Sequence, residues 1–218
     1  MKKRFDLKIL ISAIVISSLL FLSGLGIGYT INLEKLSTVE SKMLEISQSL
    51  QKFQLEFLFL DVLGENATCP LLANRLSEIN KESYLIGTRL ESYGSGNDIM
   101  DYNEYINTKK KYSRLLIGYW LLAKKLKSSC KLNANTIVYF FSKDCSRCDD
   151  QSFILTYLKN KLGDRVLIFA LDADLDEPSV QTLKTYYNIT KYPSLIINEN
   201  LYEGFQPKER IEALLFTD

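Results

Sequence analysis

The sequence predicts a mixed α/β domain at the C-terminus, preceded by an α-helical, three-helix stalk and one N-terminal transmembrane helix. Three observations carry this reading. Residues 9–31 hold no charged side chain. Between residues 36 and 126, apolar positions recur at three- and four-residue spacing. From residue 134 onward, short β-rich runs alternate with helical patterns, and the first run ends in a Cys-x-x-Cys pair. The boundaries that follow are 1–8 for a basic tail, 9–31 for the anchor, 32–130 for the stalk and 134–218 for the α/β domain.

The anchor comes first. Lys2, Lys3, Arg4 and Lys8 precede the uncharged run, and no such basic excess follows at Glu34 and Lys35. A run of this length spans a bilayer, and the basic flank stays on the cytoplasmic side. The expected location is a single-pass cell-membrane protein with its C-terminal domain outside the cytoplasm. A cleaved signal peptide is the competing reading, but the run is long for one and no Ala-x-Ala site follows it. Gly24 and Gly28 form a G-x-x-x-G that permits close helix packing.

The stalk follows. Leu36, Val39, Met43, Ile46, Leu50, Phe53, Phe57 and Leu60 form an a/d seam. Gly64 ends this first helix, and Thr68-Cys69-Pro70 opens a second, with Leu72, Leu76, Ile79, Ser83, Ile86 and Leu90 as its inner face. After the Gly94–Asn97 turn, a third helix runs from Asp101 to Lys127 with Tyr102, Tyr105, Tyr112, Leu116, Tyr119, Ala123 and Leu126 inward. An intramolecular three-helix bundle and a parallel coiled-coil homodimer both explain the seam. In an antiparallel hairpin, Cys69 and Cys130 lie at one end, within reach of a structural disulfide. Two free thiols are the alternative, and a bolder version lets the Cys69–Cys130 pair exchange with Cys145.

The α/β domain carries the chemistry. Thr136–Phe141 is an apolar strand that delivers Cys145 and Cys148, and Phe153, Ile154, Tyr157, Leu158 and Leu162 continue as a helix. Arg165–Leu171 is a continuous apolar strand, Pro178–Tyr187 a helix opened by proline, and Lys208–Phe216 a last amphipathic helix. Between them, Tyr187–Tyr192 is a loop, Pro193 precedes a third strand, and Asn198-Glu199-Asn200 turns into a fourth. The order is β-α-β-α-β-β-α. Two thiols at a strand–helix junction suit redox chemistry, because a helix N-terminus stabilises a thiolate. The spacing lets the second thiol attack a mixed disulfide formed by the first.

This stretch, 134–217, resembles the thioredoxin superfamily, on Cys145-Ser146-Arg147-Cys148 after a strand, Tyr192-Pro193-Ser194 before the third strand and Gly204 after the last. The resemblance implies a thioredoxin-like fold and thiol–disulfide oxidoreductase activity on protein thiols and disulfides, together with an unidentified redox partner. It implies Cys145 and Cys148 as catalytic residues, a cis Pro193 beside them, and Tyr192 and Pro193 as the substrate-binding wall. The chain departs from thioredoxin at Asp144, at Ser146-Arg147, and at Tyr139, where the family has a buried acid. A redox-inert, membrane-tethered binding module is the alternative function.

Composition removes other classes. The 218 residues contain no histidine, which excludes Ser-His, Cys-His and His-metal chemistry. Lys and Arg number 27 against 26 acidic residues, a net charge of +1, so nothing points to nucleic acid. Zinc on all four cysteines is disfavoured by the wide separation of Cys69 and Cys130. No cofactor and no metal are expected. Asn66-Ala67-Thr68 and Asn188-Ile189-Thr190 are glycosylation sequons that matter only in a host that modifies them.

Overall fold

The structure, a computed structural model, describes residues 11–26, 41, 43–45, 47, 48, 51, 65–94, 102–130 and 134–216. The chain divides into two compact units, Met1–Ser41 and Lys42–Asp218.

In the first unit, residues 11–26 form a helix, α1. It is apolar on every side, and Ile11, Ile14, Val15, Ile16, Leu19, Leu20, Phe21, Leu22 and Leu25 are all exposed. Two of its serine hydroxyls bond back onto the helix: Ser17 donates to the Ile14 carbonyl and Ser23 to that of Leu20. Among the described residues, no helix is long and apolar enough to cross a membrane. The remainder of the expected span, residues 9, 10 and 27–31, lies outside the described residues, as does Gly28 of the G-x-x-x-G.

The second unit holds helices α2 (Glu65–Gly94) and α3 (Tyr102–Cys130) and the α/β layers. Of the expected seam, Met43 is described and buried, and the other seven positions lie outside the described residues. Pro70 sits inside α2 because the helix begins at Glu65, before the expected Thr68. The inner face of α2 is the expected one: Leu72, Leu76, Ile79, Ser83, Ile86 and Leu90 are buried. The two helices run antiparallel, with the Tyr119 hydroxyl donating to the Leu76 carbonyl and the Tyr112 hydroxyl to that of Ser83.

The face of α3 is wider than one stripe. Leu115, Leu116, Ile117, Tyr119, Trp120, Leu122, Ala123 and Leu126 are all buried, whereas Tyr102, expected inward, is 66% exposed at the helix's first residue. A helix apolar on most sides is covered on most sides. Here α3 packs on α2 and also on the sheet and on helix α5 (Pro178–Tyr186). The two described helices of the expected stalk therefore do not stand apart from the α/β domain; α3 is one of its layers.

The sheet has strands β1 (Asn135–Phe141), β2 (Val166–Asp172), β3 (Ser194–Ile197) and β4 (Asn200–Glu203), in the order β2-β1-β3-β4. β1 pairs parallel with β2 and antiparallel with β3, which pairs antiparallel with β4. Alternation sends Ile137 and Tyr139 of β1 to one face, where they meet Leu155, Leu158 and Leu162 of helix α4 (Cys148–Leu162) and Ile211 and Leu215 of helix α6 (Lys208–Phe216). The opposite face carries Phe169 of β2, whose ring meets Tyr119 of α3 edge-on at 5.0 Å. Thus β2, though an edge strand, is covered on both faces, as its apolar sequence requires. The β3–β4 hairpin turns on Asn198 and Glu199, both at positive φ, a two-residue turn suited to the twist of paired strands.

Polar contacts fix the layers. Asp164, in the 3-10 turn Gly163–Arg165 between α4 and β2, accepts from Ser77 and Asn80 of α2. Lys109 of α3 pairs with Asp172, and Arg114 of α3 with the buried Glu177. At the other end of the sheet, Lys127 of α3 donates to the side-chain oxygens of Asn135 and Asn198. α3 is therefore antiparallel to β1.

Candidate active site

The last residue of β1, Phe141, opens into the turn that leads to α4. The Cys145 N–H donates to the Ser142 carbonyl at 3.3 Å and the Cys148 N–H to that of Cys145 at 3.4 Å. α4 begins at Cys148, so the pair straddles the helix start: Cys145 lies in the turn and Cys148 is the first helical residue. They are joined as a disulfide with Cα atoms 5.5 Å apart. Cys145 is half-buried and Cys148 is 5% exposed. Asp174, just past β2, braces the turn by accepting from the Ser142 hydroxyl at 3.1 Å and the Lys143 N–H at 2.7 Å.

Beneath the pair, the buried Tyr139 donates its hydroxyl to the Cys148 carbonyl at 2.7 Å, and its ring lies against Phe141. The position where the resemblance leads one to expect an acid thus holds a neutral donor fastened to the first turn of the active helix. Charges beside the pair are mixed. Arg147 is paired to Asp150 at 2.7 Å and stacked on Phe205 at 3.9 Å, while Asp144 and Asp149 are exposed. A reciprocal amide pair locks α4 to the segment after β4: the Gln206 N–H donates to Gln151 Oε1 at 2.7 Å and Gln151 Nε2 to the Gln206 carbonyl at 3.3 Å.

The loop before β3 reaches the same end of the domain. Because Ser194 is registered against Phe140, Pro193 sits at the same end of the sheet as the cysteine turn. The Tyr192–Pro193 peptide bond is cis. The Gly204 N–H donates to the Pro193 carbonyl at 2.7 Å, and the Ser194 hydroxyl to that of Lys191 at 2.7 Å. One oxygen of Glu203, Oε1, accepts from the Thr190 N–H at 2.7 Å, the Thr190 hydroxyl at 3.0 Å and the Lys191 N–H at 3.1 Å. Those bonds hold the Glu203 carboxyl below the usual carboxylate range, the Thr190 N–H contributing most. Lys184, from α5, lies over the Tyr192 ring and donates to the Ala173 carbonyl.

Cys69 and Cys130 form a second disulfide, with Cα atoms 5.4 Å apart, between the first turns of α2 and the last residue of α3. It lies at the end of the sheet where β1 begins, as the contact of Lys127 with Asn135 shows. The seven residues of β1 then carry the chain away from it by about 20 Å before the cysteine turn is reached. That separation counts against the bolder expectation of exchange between the two pairs, because a short connection to the strand is not a short path to Cys145. Among the described residues, no group of three or more acidic or cysteine side chains is placed to hold a metal ion.

The sequence reading did not find Phe205, Gln151, Gln206, Asp174 or Glu203 in this site. Each acts across 30 residues or more, or from outside the motif, and no spacing signals such a contact. The Tyr139 contact has a signal: a tyrosine in the middle of a buried strand needs a partner for its hydroxyl.

No family model matches the chain, and no curated protein matches it. Solved structures do. One, described only as a malarial protein, is 24% identical, with a TM-score of 0.34 over 38% of this chain and 94% of that one. An uncharacterised thioredoxin-like protein from Clostridium perfringens is 21% identical, with a TM-score of 0.34 over 40% of this chain and 73% of that one. Chloroplastic thioredoxin z is 21% identical, with a TM-score of 0.33 over 42% of this chain and 85% of that one.

Proposed function

We infer that the chain is a membrane-anchored thiol–disulfide oxidoreductase acting outside the cytoplasm on protein thiols and disulfides. The observation that carries the redox reading is the Cys145–Cys148 disulfide, half-buried at one sulfur-bearing residue and buried at the other, at a strand–helix junction that shares one sheet end with the Tyr192–Pro193 loop. Such asymmetry suits one attacking and one resolving thiol.

In the reducing direction, the Cys145 thiolate attacks a substrate disulfide, and one substrate sulfur leaves and takes a proton. Cys148 then gives up its proton and attacks the Cys145 sulfur. The second substrate thiol is released, the Cys145–Cys148 disulfide forms, and two electrons have passed to the substrate. The oxidising direction is the reverse. Arg147 is neutralised by its partner Asp150, and the exposed Asp144 and Asp149 remain beside the pair with Lys143, so the nearby charges supply no net positive field that would favour the thiolate.

Support for the anchor is the charge-free run 9–31 behind Lys2, Lys3, Arg4 and Lys8, together with the exposed apolar surface of α1. The outward location is supported by two disulfides, which persist in oxidising compartments. A homodimer through the residue 36–60 seam and an unidentified redox partner belong to the same proposal.

The full chain is expected to catalyse disulfide exchange with a model protein, and Cys145→Ser to abolish it. Equal activity in that variant overturns the reading, and partner capture without turnover in the unaltered protein favours a tethered binding module. The Cys145–Cys148 potential sets the direction: near about −270 mV the protein is a reductase, near about −120 mV an oxidant. Impermeant thiol reagents on intact cells should reach the C-terminal domain; its protection overturns the topology.

A further inference from the structure

The geometry points to Glu203 as the positioning residue that holds the Tyr192 backbone ready for an incoming substrate strand. This rests on the reading that the protein acts on extended peptide substrates. Glu203 is the last residue of β4, and its Oε1 gathers three donors from two consecutive residues of the facing loop, at 2.7, 3.0 and 3.1 Å. Two of the donors are backbone N–H groups, so the contact fixes the main chain rather than a side chain. The next residue, Gly204, adds the bond from its N–H to the Pro193 carbonyl at 2.7 Å. The strand end at 203–204 therefore grips the loop on both sides of Tyr192, at 190–191 and at 193.

Tyr192 itself is different. Its backbone N–H and carbonyl take part in no hydrogen bond among the described residues, whereas its neighbours' groups are tied down. A segment with satisfied flanks and one open residue is what adding a single strand requires, because main-chain bonds supply the affinity and the flanks supply the alignment. Holding that residue still before substrate arrives lowers the ordering cost of binding. Glu203 touches neither sulfur; it acts through Thr190 and Lys191. Its geometry needs an acceptor oxygen at one point, which a glutamine side chain also presents.

The test compares the full chain with Glu203→Ala and Glu203→Gln, using insulin as disulfide or as reduced chains according to the measured potential. Glu203→Ala is expected to raise KM about tenfold, a loss of the size that removing charge-assisted hydrogen bonds produces, while kcat falls less than about threefold. Glu203→Gln should recover most of the affinity. Hydrogen exchange adds a second readout: the Thr190 and Lys191 amides should lose protection in the alanine variant and keep it in the glutamine variant. An unchanged KM for Glu203→Ala, a loss confined to kcat, or equal damage from both substitutions overturns the proposal. A wild-type chain that exchanges with dithiothreitol but not with insulin is a different failure. It overturns the protein-substrate reading, and this proposal with it.

Discussion

Tyr139 shows how one residue shapes a site through the backbone of its neighbour. A phenol donates where an ionised carboxylate accepts, so the Cys148 carbonyl is bonded to a donor from below. Asp164 is the other residue whose chemistry reaches beyond its neighbours. It is the contact of the α4–β2 turn with α2, and its carboxyl is held below the usual range, chiefly by the Ser77 hydroxyl and, after the opposing effect of burial, by Asn80. A carboxylate with a depressed folded-state pKa stabilises the fold above its unfolded value, and that contribution fades as the pH falls through the folded value. The stability gap between the native protein and Asp164→Asn should therefore be present at pH 7 and close below about pH 4. The site is exposed, so solvent screening holds the gap to less than about 1 kcal/mol. Urea unfolding at both pH values measures it, and a gap that widens in acid contradicts the assignment.

At the scale of elements, the α2–α3 pair depends on a close approach at Gly87. A Cβ there would lie 2.5 Å from the Tyr112 hydroxyl oxygen, which already donates to the Ser83 carbonyl. Gly87→Ala gains about 1 kcal/mol of helix propensity but displaces that hydroxyl, forfeiting a hydrogen bond of about 1 kcal/mol. The two nearly cancel, so the single substitution should be close to neutral. In a Tyr112→Phe background the hydroxyl is gone, and the alanine should stabilise by about 1 kcal/mol. A double-mutant cycle by thermal or urea unfolding reads the difference, and additivity would contradict it. The same helices show how far amphipathic spacing carries. It marked the buried face of α2 correctly, but on α3 it marked one stripe where the structure buries two surfaces.

Across the whole molecule, the two disulfides divide the labour by position. Cys69–Cys130 closes the open end of the helical hairpin, and the sheet separates it from Cys145–Cys148. Replacing Cys69 and Cys130 by serine should cost about 2–5 kcal/mol of stability, the range for a native disulfide closing a long loop. The Cys145–Cys148 potential should stay in place. Trapping probes the same separation: in Cys148→Ser, peptide mapping should find Cys145 bonded to foreign thiols. Recovery of Cys145 bonded to Cys69 or Cys130 would show that the two ends of the sheet meet.

The order of elements in the α/β domain was determined by the sequence alone, because period-2 and period-3.6 patterns, Pro178 and the Asn198-Glu199 turn are local signals. The cysteine turn and its place before a helix were local too. What only the tertiary structure decided is where those pieces meet. α3 became a layer on the sheet because Tyr119 and its apolar neighbours need cover on two sides, and α2 supplies only one. Glu203, Asp174 and Phe205 joined the cysteine turn because the sheet register sets β4, the β2 exit and the Pro193 loop at one end of the domain. Register is a property of paired strands, and a single strand read by itself does not contain it.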